Sequence, residues 1–171
     1  MTKTLTFPER PDATPAESAK ALKQALKARF PATAFSVRLD RGTAYGCASV
    51  SWTDGPSRKM VEQVIAPFEG EGFDGMTDST IHYRAYLPDG RRSRLRLVNA
   101  ERRISPALAK RAAAQVAAYY GVPEPVLTVN EYGSWQIEGD TRWVREDIGE
   151  YWSSLIWRAA EDHSRYARNA A

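Results

Sequence analysis

The sequence is poor in the residues that most chemistry uses. It has one cysteine, Cys47, so an internal disulfide and a cysteine-rich zinc site are both excluded, and a reducing compartment is expected. It has two histidines, His82 and His163, which cannot make a His-x-x-x-His metal pair. No Gly-x-Ser-x-Gly elbow and no glycine-rich phosphate loop with its lysine occurs. No apolar run approaches the roughly 20 residues that span a bilayer. The start, MTKTLTFPERPD, lacks the apolar core of a signal peptide. These absences lead to the expectation of a cytoplasmic protein that is not an enzyme, holds no cofactor and no metal, and does not enter a membrane.

What is present is a chain of 171 residues with 43% apolar content, enough to bury a sizeable core. Net charge is only +3, but it is unevenly placed. The segment 91–103, RRSRLRLVNAERR, holds six arginines against one glutamate, so the remainder of the chain is net negative. A positive field confined to one short segment suggests an acidic partner.

Local signals place the elements. Residues 1–13 read as a flexible arm. Thr14-Pro15-Ala16-Glu17 reads as a capping box with Pro at the first helical position. Ala19, Leu22, Leu26 and Phe30 follow at helical spacing, and Pro31 ends the run. Phe35, Val37 and Leu39, then Ala48, Val50 and Trp52, alternate as strands. Cys47 beside Gly46 is expected as a small, semi-buried strand residue. Asp54-Gly55-Pro56 reads as a turn with Pro56 opening a second helix, whose stripe is Val61, Val64, Ile65 and Phe68. A helix from Ser105-Pro106 to Gly121, a hairpin around Tyr132-Gly133, and a last helix from about Trp143 to Tyr166, with the stripe Ile148, Trp152, Leu155 and Ala159, complete the pass. The expected fold is α+β, with residues 14–171 as a single domain. A helix–hairpin–helix unit would occur twice, in halves 14–80 and 105–171 flanking a central hairpin over 81–98.

Residues 69–79, EGEGFDGMTDS, are expected as a loop. Asp74 and Asp78 lie four apart there, but a calcium loop needs more oxygen ligands at regular spacing. The expectation is a turn packed by Phe73 and Met76, without metal.

The central hairpin is the best candidate site. A three-residue turn, Pro88-Asp89-Gly90, sets residue 87 opposite 91. Ile81, Tyr83 and Ala85 then face Leu97, Leu95 and Ser93 on one side. On the other, His82, Arg84 and Tyr86 face Arg96, Arg94 and Arg92. Arginines opposed across a sheet repel, so either the face is simply solvated or an acid offsets them. Such an acid is either internal, from Glu69, Glu71, Asp74 or Asp78, or external, from an acidic protein surface or nucleic-acid phosphate. Trp52, Trp135 and Trp152 fall on core stripes. Trp143 and Trp157 lie off the stripe of the last helix, as partner anchors or as packing for the N-terminal arm.

Four motifs occur in order: Lys27-Ala28-Arg29-Phe30-Pro31, Phe35 to Arg38, Ser51 to Pro56 (Ser-Trp-Thr-Asp-Gly-Pro), and Phe73 to Met76 (Phe-Asp-Gly-Met). In combination, over roughly residues 18–87, they resemble the large polyvalent protein-associated domain, number twenty-nine of that series. The resemblance implies a setting in phages, plasmids and conjugative elements, where such domains form parts of very large injected chains and are linked to protecting incoming DNA from host defences. It carries over no catalytic residues. A short, free-standing chain departs from that setting and favours a small autonomous effector. The reading that follows is a non-catalytic counter-defence protein, of anti-CRISPR or anti-restriction type, that binds a host defence protein. A nucleic-acid-binding accessory domain using the arginine face is the alternative.

Overall fold

The computed structural model describes residues 12–139, 143–145 and 149–162. The chain is mixed α+β and divides into two compact units. One comprises the residues up to Trp52 together with Lys59–Glu101; the other comprises Thr53–Arg58 together with the residues from Arg102 onward.

In the first unit, helix α1 (Pro15–Arg29) begins as its sequence dictates. Thr14 Oγ1 accepts from the Glu17 N–H, and the Glu17 carboxylate accepts from the Thr14 N–H. Strands β1 (Ser36–Leu39) and β2 (Ala48–Thr53) pair antiparallel, Ser36 opposite Ser51 and Leu39 opposite Ala48. Helix α2 (Arg58–Ile65) continues into a single 3-10 turn, Ala66–Phe68. It starts two residues later than the Pro56 signal suggests. Asp54 has φ 56°, a left-handed conformation that keeps the chain in a turn past Pro56.

The stretch 69–79 is not a loop. Strands β3 (Glu71–Asp74) and β4 (Ser79–His82) form an antiparallel hairpin, Glu71 opposite His82 and Asp74 opposite Ser79. Strand β5 (Val98–Arg103) joins the first sheet in the order β1-β2-β5. Ala48 N–H donates to Leu97 O, and Asp54 N–H to Arg103 O, at the same sequence offset, so β5 runs parallel to β2. The core of this unit gathers Leu22 and Leu26 of α1, Val50 of β2, Val61 and Ile65 of α2, and Leu95. Phe30, Phe35 and Trp52 form an aromatic chain beside it, with ring centroids 6.0 and 5.7 Å apart.

In the second unit, helix α3 (Pro106–Tyr120) starts at its Ser105 cap and stops at left-handed Gly121. Strands β6 (Leu127–Val129) and β7 (Trp135–Ile137) form the expected hairpin. Strands β8 (Trp143–Arg145) and β9 (Glu150–Tyr151) form another, and helix α4 (Trp152–Glu161) follows. The last helix therefore starts at Trp152, not Trp143. Two hairpins separate α3 from α4, so the helix–hairpin–helix unit does not recur in the form expected. Trp152, Leu155 and Ala159 pack among Leu108, Ala112 and Val116. Ile148, Tyr166 and residues 1–11 lie outside the described residues. Among the described residues no helix is long and apolar enough to cross a membrane.

Candidate partner-binding face

The Pro88-Asp89-Gly90 turn closes with the register its sequence demands. Leu87 N–H donates to Arg91 O at 2.8 Å, Ser93 N–H to Ala85 O at 2.9 Å, and Tyr86 bridges to Arg92. Ala85, Leu87, Ser93 and Leu95 are buried, while Arg84, Tyr86, Arg92, Arg94 and Arg96 are exposed. The division into an apolar and an arginine face is therefore real.

Beyond Ala85 the two arms part, which corrects the long hairpin. His82 does not oppose Arg96 in a ladder, nor Arg84 Arg94. The first arm turns away to pair β4 with β3. The second arm takes new neighbours on both sides: Gly70 N–H donates to Leu95 O and Glu71 N–H to Arg96 O, while Arg96 N–H donates to Gly46 O. Glycine at 70 permits this approach, since a Cβ there would lie 3.2 Å from the Leu95 carbonyl. The exchange also explains the exposure of Ile81, Tyr83 and Leu97, which a continuous hairpin would have buried.

The arginines are held by internal acids. Arg91 meets Glu17 at 2.7 Å and Asp89 at 2.8 Å, Arg94 meets Asp12 at 3.2 Å, and Arg96 meets Glu71 at 2.9 Å. His82 Nδ1 lies 3.7 Å from Glu71. Of the four acids named from sequence, only Glu71 faces an arginine. Glu69 instead accepts the Val98 N–H at 2.8 Å, and its burial raises its pKa. Asp74 caps its own turn through Met76 N–H and Thr77 Oγ1, bonds that lower its pKa. Met76 is 97% exposed and does not pack that turn; the Phe73 side chain lies outside the description. Asp12, Glu17 and Asp89 were missed as arginine partners, because Glu17 was already accounted for by its cap and Asp89 by its turn. The Arg91 guanidinium, with the Thr14 bonds, holds Glu17 down to about 2. Arg84 and Arg92 make no ion pair with any described residue.

Arg92, Arg94, Arg96 and His82 come together in an open cleft of about 560 Å³, with Tyr45, Asp12 and Glu71 on its walls. Its floor is anchored to the start of α1. Ala13 N–H donates to Arg92 O, and Arg94 N–H donates to the hydroxyl of the fully buried Ser18. Arg84 and Tyr86 extend the exposed surface along the hairpin. Trp143 and Trp157 belong to the second unit and are each more than a third exposed. Trp143 is a strand residue whose ring stacks on Tyr151 at 3.8 Å; Trp157 stands off the buried stripe of α4.

Arg102, from the same basic segment, has a structural task. Its side chain is 3% exposed, meets Glu161 at 2.7 Å, and donates to the carbonyls of Ala160, Asp54 and Gly55. Asp54 Oδ1 accepts the Ser105 N–H at 2.7 Å. The Asp-Gly turn is thereby a cradle for Arg102. Among the described residues no group of three or more His, Cys, Asp or Glu is placed to hold a metal ion; His163 lies outside them.

Residues 13–105, more than half of the chain, match the family model described as large polyvalent protein associated domain 29. The matched span contains the aromatic chain, Asp54 with Arg102, and the arginine cleft apart from Asp12 on its wall. No curated protein and no solved structure matches the chain.

Proposed function

The chain belongs to the large polyvalent protein associated domain 29 family, and from that membership we propose a non-catalytic counter-defence protein. It would act in the cytoplasm, binding and blocking a host defence protein, such as a CRISPR or restriction component, through its arginine face. Membership associates the chain with mobile elements. Such elements meet host immunity on entry, and a binding domain counters it most simply by occupying a surface of the defence machinery.

The observation that carries the choice of a protein partner is the mixed charge of the face. Carboxylates of Asp12, Glu17, Glu71 and Asp89 alternate with the arginines. A surface that tracks phosphates gains from releasing counterions at every contact, and interleaved acids oppose that. Protein interfaces, by contrast, favour arginine and aromatic side chains within a polar rim. Arg84, Arg92, Tyr45 and Tyr86 supply such groups, and Trp143 and Trp157 offer anchors on the second unit.

Capture from nuclease-treated host lysate tests the reading. The intact chain is expected to retain a host protein that the triple variant Arg92→Ala, Arg94→Ala, Arg96→Ala loses while staying folded, because exposed ion pairs contribute little to stability. Equal capture by both chains, or capture that disappears with nuclease treatment, contradicts it.

A further inference from the structure

Two arginines of the cleft hold carboxylates of their own chain. Arg94 and Arg96 stand two residues apart on an extended segment, and each holds a carboxylate from its own chain: Asp12 on Arg94 at 3.2 Å and Glu71 on Arg96 at 2.9 Å. Arg92 is the next place in the same row and lines the same cleft. It is exposed and has no carboxylate partner among the described residues. Its backbone is fixed by the Ala13 N–H, so the guanidinium is presented from a set position.

We propose that this cleft binds an acidic peptide segment of the partner protein, one carboxylate pairing with Arg92 and others exchanging with Asp12 and Glu71 on Arg94 and Arg96. Alternate residues of an extended chain lie about 6.6 Å apart, so an extended segment with acids at every second position matches the row. The guanidinium fork takes a carboxylate through two parallel hydrogen bonds. Tyr45, 69% exposed at the cleft wall, offers a ring against the peptide backbone. Asp12 and Glu71 are then internal competitors. They keep the cleft soluble and self-satisfied when empty, and they set a threshold that only a dense acidic segment passes. The inference rests on the protein-partner reading of the same face.

The test is titration of the full chain with a fluorescein-labelled oligoglutamate peptide, with an oligothymidylate of equal charge as comparison. The oligoglutamate is expected to bind and to weaken with salt. Arg92→Ala should weaken it about tenfold and Arg92→Lys by less, because the lysine keeps the charge but not the fork. Asp12→Asn with Glu71→Gln should tighten it several-fold, an effect that a merely structural role for these acids would not produce. No oligoglutamate binding by either the intact chain or the Asp12→Asn, Glu71→Gln variant overturns the proposal. So does unchanged binding in Arg92→Ala, and so does tighter binding of oligothymidylate. Oligoglutamate failure alongside Arg-dependent capture of a host protein would remove this inference and leave the partner reading standing; oligoglutamate binding without any captured host protein would remove the host-protein reading and, with it, the assignment of the acidic segment to a partner.

Discussion

Arg91 Nη1 lies 2.7 Å from Glu17 Oε1, joining the first turn of α1 to the residue that closes the Pro88-Asp89-Gly90 turn. The same carboxylate closes the Thr14 capping box. One side chain therefore sets both the start of the helix and the position of the hairpin beside the arginine cleft. Its pKa is depressed from 4.5 to about 2, chiefly by the Arg91 bond. A carboxylate favoured in the folded state stabilises fully above its unfolded value and loses that contribution as pH falls through its folded value. Glu17→Gln, which keeps the cap but not the charge, should melt below the parent at pH 7, with the difference shrinking below pH 4.5 and gone near pH 2. A difference independent of pH would show that the ion pair contributes nothing.

Glu69 carries the opposite sign. Burial penalises its charged form, so its pKa is raised, and ionisation above that value costs stability. Glu69→Gln retains an oxygen for the Val98 N–H and removes the buried charge. The variant should melt above the parent at pH 8 and converge with it below pH 4.5. A lower melting temperature at pH 8 would mean that the charge on that hydrogen bond outweighs its desolvation.

Arg102 should behave as a buried partner whose loss strands others. Arg102→Ala removes the guanidinium donor from Glu161 Oε1, leaving that carboxylate, among the described residues, only the Arg58 N–H on Oε2, and from the carbonyls of Asp54, Gly55 and Ala160. A loss of about 3 kcal/mol is expected in urea unfolding. A change below about 0.5 kcal/mol, the range of ordinary surface substitutions, would show that the cradle is dispensable.

Gly46 ties a turn to the cleft. Its φ is 88°, and an added Cβ would meet Arg96 Cγ and Cδ at 3.2 Å. Gly46→Ala should cost about 1–2 kcal/mol, the penalty of a left-handed residue with a side chain, and should shift Arg96 away from Glu71. Parent-like urea unfolding would contradict this.

The sequence was most legible where a side chain meets its own backbone nearby. The Thr14–Glu17 box, the Ser105 cap, Gly121 and the 87–91 turn are all local bonds, and each appears where the residues put it. The candidate cleft was legible in part, since alternation sorted Arg92, Arg94 and Arg96 from Ser93 and Leu95. Alternation says which face a residue shows, not which strand lies beside it. The exchange of partners at residues 94–98, from the 81–84 arm to Gly70 and Gly46, was therefore out of reach, and so was the Glu71–Arg96 pair that depends on it. Gly72 and the exposed β4 hid the β3–β4 hairpin by weakening its pattern. Trp143 lies off the stripe of the last helix, and that mismatch was the signal that it stands outside α4; its ring is spent on Tyr151 across a hairpin.

The central claim is that the arginine face takes carboxylates of a protein and not phosphates of a nucleic acid. Its most direct test is the salt dependence of duplex DNA binding by the intact chain and by the triple variant at Arg92, Arg94 and Arg96. Three phosphate contacts would give a log–log slope of about −3. With Asp12 and Glu71 occupying Arg94 and Arg96, the account predicts binding no tighter than about 100 µM at about 150 mM salt, with no difference between the two chains. Tight binding with a slope of about −3, flattened in the triple variant, would contradict it and give the face to nucleic acid.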